Sequence, residues 1–179
     1  MSNYSIFVID PPWPQSQGGR RSVRPKQKGK FNYNTLTINE IFSLLDKEVF
    51  PKASQDHCVF LWEIDKFLLD AEVEMMARGY RRHTRIVWNK TNGIAPAFTL
   101  RFIHEYLVWW YKEKFMPVAV DARGRFTTII TEQAREHSRK PNTAYLLIDI
   151  LYPDKCKLDV FSREKREGWD QFGDESNYY

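Results

Sequence analysis

The chain switches repeatedly between two hydrophobic periods, and that alternation restricts its fold more than any other feature. Ile6, Phe7, Val8 and Ile9 form a short apolar run of the kind found in strands buried on both faces. Thr37-Ile38-Asn39-Glu40 reads as a capping box, and Ile38, Ile41, Leu44, Leu45 and Phe50 follow at helical spacing. "HCVFLWE" (57–63) reads as a buried strand, and Asp65 is expected to cap a second helix that runs to Gly79 through Phe67, Leu68, Ala71, Met75 and Met76. "TRIVWNK" (84–90) and "EYLVWWYK" (105–112) are strand-like, "KPNTAYLLIDILYP" (140–153) is a helix with proline near each end, and "KLDVFSR" (157–163) is a last strand. Strands alternating with helices specify an α/β domain with a mainly parallel sheet flanked by helices. In such sheets ligands bind beyond the carboxyl ends of strands, so residues just after strands are the first candidates for a site. No repeat or linker divides the 179 residues, so one domain over 1–179 is expected.

Composition excludes several classes. Cys58 and Cys156 both sit among apolar neighbours and read as buried free thiols of a reducing compartment. Four scattered histidines without ligand spacing suggest no metal site. No run approaches the roughly 20 apolar residues of a spanning helix, and no leader pattern is seen, so a cytoplasmic protein is expected, or a nuclear one in a eukaryote. Net charge is +4, but its distribution is uneven. "GGRRSVRPKQKGK" (18–30) holds six cations, Arg20, Arg21, Arg24, Lys26, Lys28 and Lys30, and no acid. It is expected to be a flexible basic loop at about 14–32, either a solvated loop or a track for phosphates. Arg78, Arg81, Arg82 and Arg85 around Gly79 could extend that track or cap a helix end.

The first strand ends at Asp10-Pro11-Pro12-Trp13, from which the basic segment departs. An exocyclic amine on a purine is a poor nucleophile, because its lone pair is delocalised into the ring. A carboxylate and a carbonyl that each accept one N–H favour a pyramidal nitrogen whose lone pair can reach an electrophile. Asp10 can supply the first acceptor and Pro11 the second. The two prolines fix φ and contribute no N–H of their own, and Trp13 offers a flat face on which a base could stack. The plainer reading makes this an ordinary strand-ending turn with Trp13 in the core.

With "FLWE", "IVWNKT", "SRKP" and the ending "KLDVFSR…EGWDQFGDE" in the same order, this chain resembles the MT-A family of N6-adenine methyltransferases, which includes the eukaryotic mRNA adenosine methyltransferases. The resemblance runs from about Phe7 to Glu175 and suggests a compact bacterial or phage member. It implies a Rossmann-like methyltransferase fold, circularly permuted with the catalytic motif first and the cofactor strand last. It also implies S-adenosyl-L-methionine (SAM) as methyl donor, S-adenosyl-L-homocysteine as product, and no metal. Asp10, Pro11, Pro12 and Trp13 match the catalytic motif. Tyr33, Lys90 and Glu105 match residues near the target adenine, and Arg20, Arg21, Arg24 and Lys28 would hold the nucleic acid. Lys140 matches a lysine that meets the SAM carboxylate, Asp159 an acid on its ribose hydroxyls, Phe161 a wall of its pocket and Arg163 a further contact. Asp174 and Glu175 match a polar pair that closes over the cofactor, and Asp10 itself borders it.

Larger relatives carry a segment upstream of this motif that pairs with the SAM adenine, whereas nine residues precede it here. Either another loop supplies those contacts or SAM binds weakly. No target-recognition domain is visible, so selectivity is expected from the basic loop, the 78–85 region or a second subunit, a homodimer included. The expected activity is methylation of adenine N6 in DNA ahead of RNA. The alternatives are an RNA enzyme, a noncatalytic nucleic-acid-binding subunit, or methylation of a protein amide.

Overall fold

The computed structural model describes residues 3–14, 35–92, 100–135 and 139–173. The basic segment, Tyr33, Asp174 and Glu175 therefore lie outside the described residues.

Seven strands form one sheet in the order β5-β3-β4-β2-β1-β6-β7. They are β1 (Tyr4–Ile9), β2 (Ala53–Glu63), β3 (Arg81–Asn89), β4 (His104–Lys112), β5 (Ile129–Thr131), β6 (Lys157–Val160) and β7 (Trp169–Phe172). β1 runs parallel to β2 and β6, β6 to β7, and β3 to β5, while β4 runs antiparallel to both its neighbours. The sheet is thus mainly parallel, as the alternating periods require. Helices α1 (Ile38–Leu44) and α2 (Leu68–Ala77) cover one face, and α3 (Asn142–Leu151) covers the other.

The two-residue alternation of strand side chains divides the core accordingly. Phe7, Ile9, Val59 and Leu61 pack with Ile41 and Phe42 of α1 and Ala71 and Met75 of α2. Ile6, Val8, Phe60 and Trp62 pack on the opposite face with Ala144, Tyr145 and Ile148 of α3. Ile6 through Ile9 are completely buried, and each such side chain contributes about 1.5–3 kcal/mol, which fixes β1 at the centre of the sheet. From β1 the chain leaves toward β2 on one side, and β6 arrives on the other. The carboxyl ends of β1 and β6 therefore flank a crevice, where a doubly wound sheet places its ligand.

The expected elements are present with altered limits. Thr37 accepts from the Glu40 N–H while the Glu40 carboxylate accepts from the Thr37 N–H, so the capping box forms. Asp65 does not cap α2 through its side chain: residues 65–67 make a 3-10 turn, and α2 begins at Leu68 with no side-chain cap. β2 starts four residues before the apolar run, because parallel pairing with β1 extends into polar "ASQD". The last expected strand stops at Val160, since Phe161 takes a left-handed backbone with φ of 60°. β5 and β7 have no sequence signal, β5 being three residues long and β7 four residues of which only Trp169 and Phe172 are apolar. Cys58 is buried, but Cys156 is exposed, because it precedes β6 in a turn on the surface. Among the described residues no helix is long and apolar enough to cross a membrane, and no acid, histidine and cysteine group could hold a metal.

Candidate active site

Asp10 follows β1 directly, and its N–H donates to the Val160 carbonyl at 3.2 Å, which continues the β1–β6 pairing one residue beyond the strand. The prolines cannot continue the ladder, so the chain turns: the Trp13 N–H donates to the Pro11 carbonyl at 2.8 Å and the Leu36 N–H to the Pro12 carbonyl at 3.0 Å. The Pro11 oxygen therefore already accepts one bond and keeps one lone pair for a ligand.

Trp13 corrects the sequence reading. Its indole is only 4 % exposed, donates its N–H to the Trp62 carbonyl at 3.0 Å, and stacks on Phe67 with ring centroids 5.7 Å apart. It is packed into the core as the peg that holds the turn, and it offers no open face to a base. The plainer reading was right for this residue because Phe67, brought in by the turn before α2, covers the ring.

Four charged residues converge on the turn. Lys140, which leads into α3, places its ammonium 2.9 Å from the Asp10 Oδ1 and 3.0 Å from the Glu105 Oε2. The other oxygen of Glu105 accepts from the Lys90 ammonium. The result is a line of alternating charge, Asp10, Lys140, Glu105 and Lys90, gathered from the ends of β1, β3 and β4 and the approach to α3. Strand register explains half of it: Trp88 opposes Glu105, so Lys90, two residues on, meets Glu105 diagonally across β3 and β4. Burial raises the Asp10 carboxyl above the usual range, Lys140 pulls it back and the Glu105 charge raises it again. Burial would raise Glu105 too, but the Lys140 and Lys90 charges prevail and hold it at about 2. Burial disfavours the Lys140 charge, yet its two carboxylates raise its pKa above the usual lysine value. Lys140 is thus the shared counter-ion of two acids, an arrangement the resemblance to a SAM-carboxylate lysine did not reveal.

On the β6 side of Asp10 lies a small cleft, open to solvent, with Asp10, Lys140, Asp159, Phe161 and Arg163 in its wall. Five of the residues proposed from sequence therefore share one cavity. Asp159 is 1 % exposed; the Tyr145 hydroxyl reaches its Oδ1 at 3.4 Å, while its Oδ2 has no hydrogen-bond donor among the described residues and stands 3.9 Å from the Arg166 guanidinium. Burial pushes its pKa up to about 7 against the opposing charge of Arg166. Phe161 has its N–H bound to the Phe172 carbonyl at 2.6 Å, and its backbone lies so close to Gly173 that a Cβ there would come within 3.0 Å of the Phe161 Cα. Gly173, itself at φ of 147°, thus permits the left-handed Phe161 that shapes this wall.

The sequence reading missed the remaining lining. Arg139 and Arg166 both grip Glu164, at 2.5 and 2.9 Å, and the Arg166 guanidinium lies 3.6 Å from the centre of the Tyr145 ring. The density of cations in "SRK" and "SREKRE" was the available signal. A cleft whose wall interleaves carboxylates (Asp10, Asp159, Glu164) with cations (Arg139, Lys140, Arg163, Arg166) fits a ligand that carries both charges, as the amino-acid end of SAM does. The Asp159 Oδ2, which still lacks a hydrogen bond, fits a hydroxyl or ammonium donor.

Comparison with known proteins agrees with this architecture. The MT-A70 family model matches residues 4–175. Over 99% of its length the chain is 24% identical to "N(6)-adenosine-methyltransferase MT-A70-like" of Arabidopsis thaliana, covering 24% of that protein. It is 24% identical to "Type II methyltransferase M.MunI" of Mycoplasma sp, with 95% of this chain and 76% of that one covered. It is 28% identical to "N6-methyladenosine RNA methyltransferase MTA1" of Cryphonectria parasitica, with 96% and 51% covered. The chain thus spans about a quarter of the plant relative and half of the fungal one. Because the family model runs from the first residue of β1 past the end of β7, taking in the Asp10 turn and the whole cleft, the chain belongs to the MT-A70 family.

Proposed function

We propose that the chain is a SAM-dependent methyltransferase that modifies N6 of adenine in nucleic acid. The observation that carries this reading is the position of Asp10, which forms part of the cleft wall and part of the proline turn at once. An acceptor for an amine and a pocket for a methyl donor therefore share one carboxylate. When bound, SAM supplies an electrophilic methyl group. Lys140, Asp159, Phe161 and Arg163 would hold it, and its contacts from Asp174 and Glu175 are part of the proposal.

The chain's own contribution is orientation. Asp10 accepts one N–H of the adenine amine, and the remaining lone pair of the Pro11 carbonyl accepts the other. Trp13, anchored through Trp62 and Phe67, holds the turn rigid so that neither acceptor must reorganise during the reaction. The proton lost from nitrogen passes to an Asp10 oxygen or to water. A paired adenine must first leave its stack, at a cost of a few kcal/mol. Tyr33 and the cations Arg20, Arg21, Arg24 and Lys28 are proposed to meet the base and its phosphates.

We favour DNA over RNA, with the likeness to the type II methyltransferase over three quarters of that protein in support. The fungal relatives, whose names specify RNA, favour the second reading. Labelled SAM incubated with single-stranded and duplex DNA and RNA, followed by nucleoside analysis, tests both. Label in N6-methyladenine is expected, and label in none of the four substrates would sink the proposal. Asp10→Ala is expected to lower turnover by roughly 10²–10³ while SAM still binds.

A further inference from the structure

Glu105 matches a family position near the substrate, yet both its oxygens already bind ammonium groups, and it is not part of the cleft wall. It sits near the start of β4, opposite Trp88 of β3 and two residues before Leu107 on the face covered by α3, and its side chain is 15 % exposed. The Lys140 ammonium also lies 5.4 Å from the Trp62 ring centre. A lysine carries about 2 kcal/mol of rotamer entropy on a flexible stem, and this one hangs from an irregular segment before α3. Asp10 alone would leave that stem free to swing about a single contact. Glu105 supplies the second point that defines where the ammonium stands, and Lys90 prevents Glu105 from being an uncompensated buried charge.

Resting on the methyltransferase reading, we infer that Glu105, held by Lys90, is a positioning residue: it acts on Asp10 through Lys140 and does not contact the target base. Lys140 favours the ionised, hydrogen-bond-accepting form of Asp10, whereas the negative charge of Glu105 opposes it. The two residues are therefore handles of opposite sign on one carboxylate. The other groups that act on or feel Asp10 are Arg163, beyond β6, Asp159 on β6 and Tyr145 on α3, and none of them is altered by changes at Glu105.

The test uses Glu105→Gln, which keeps the shape and an acceptor for Lys140 while removing the charge, together with Lys140→Met and Lys140→Arg. The acid limb of the kcat/KM profile is expected to move down by about 0.5–1 pH unit in Glu105→Gln and up by a similar amount in Lys140→Met. Lys140→Arg should return it toward the wild-type position. KM for the oligonucleotide should stay within about twofold in Glu105→Gln. A raised oligonucleotide KM with an unmoved acid limb would make Glu105 a base contact and overturn the inference. The Asp10 carboxyl is also titrated by carbon NMR in the same variants without substrate, so the inference is judged even if no transfer occurs. Opposite shifts support it, and an unchanged Asp10 titration in Glu105→Gln rejects it whatever the activity shows. Absence of transfer by the wild type, in contrast, counts against the methyltransferase reading alone.

Discussion

Glu63 is the most displaced carboxyl outside the cleft. It ends β2 with its side chain buried at 1 % exposure, and neither of its oxygens has a hydrogen-bond partner among the described residues. Burial, aided by the Glu72 charge, pushes its pKa up to about 9, against the charges of Arg85 and Arg82. The unfolded chain releases this proton near the ordinary glutamate value, so the folded state binds more protons across the interval between the two. Stability therefore falls as pH rises from about 4.5 to about 9. Glu63→Gln imitates the neutral acid. It should raise stability by about 1–3 kcal/mol at pH 8 and by little at pH 5, as read from urea melts at several pH values. A gap that does not widen with pH would mean that Glu63 is ionised in the fold. At this scale the sequence was partly legible. Asp10, Lys90, Glu105 and Lys140 could each be named from motifs, but that Lys140 would stand between two acids could not. That contact joins residues 130 positions apart and depends on how a loop without periodic signal approaches α3. Trp13 was misread for a related reason, since nothing local to the proline turn shows that Phe67 will cover its ring.

Among the elements, α3 is the one on which the cleft depends, and it begins without a local cap. Its N-cap position is Pro141, which makes no side-chain bond to the helix. The unpaired N–H groups of the first turn are met from elsewhere: the Glu132 carboxylate, just beyond β5, accepts the Asn142 N–H at 3.0 Å, the Thr143 N–H at 2.9 Å and the Thr143 hydroxyl at 2.6 Å. The Glu132 carbonyl accepts the Trp88 indole N–H at 2.8 Å, so the same residue ties the helix to β3. A carboxylate at a helix N-terminus also complements the macrodipole. Glu132→Ala should therefore cost about 1–2 kcal/mol of stability, with Glu132→Gln intermediate. SAM affinity should weaken alongside, since Lys140 and Tyr145 lie at this end of α3, and calorimetric titration of both variants checks it. Full stability in Glu132→Ala would mean that water caps the helix equally well. The helix was evident from "TAYLLIDIL", in which apolar residues recur at helical spacing, whereas its cap was not. Long-range capping leaves no pattern near the helix it serves, and β5, which delivers Glu132, is a three-residue strand too short to read.

Across the whole molecule, the proposed function raises the question of where nucleic acid would find positive charge. The chain has 27 cations and 23 anions, so position matters more than the surplus of four. In the cluster around Gly79, Arg78, Arg82 and Arg85 meet acids locally. Arg78 is bound by Asp46 at 2.8 Å and Glu74 at 2.5 Å, and the buried carboxylate of Glu72 receives both Arg82 and Arg85 at 2.7 Å. These guanidinium groups fasten α2 and the start of β3 together, and the field they project is largely cancelled where it arises. The cations from Arg20 to Lys30 have no acidic residue within their own stretch of sequence, so under the proposed function they are the better candidates for phosphate binding. Each phosphate neutralised by a cation releases condensed counterions and steepens the fall of log K with log salt by about 0.9 on duplex DNA. Reversing Arg20, Arg21 and Lys28 should therefore weaken oligonucleotide binding and flatten that slope by about 0.9 for every phosphate no longer neutralised. Arg82→Ala should instead lower stability, by about 1 kcal/mol, and leave the slope unchanged. Fluorescence anisotropy of a labelled oligonucleotide across a salt series separates the two. A slope that flattens for Arg82→Ala but not for the triple reversal would move the phosphate track to the start of β3.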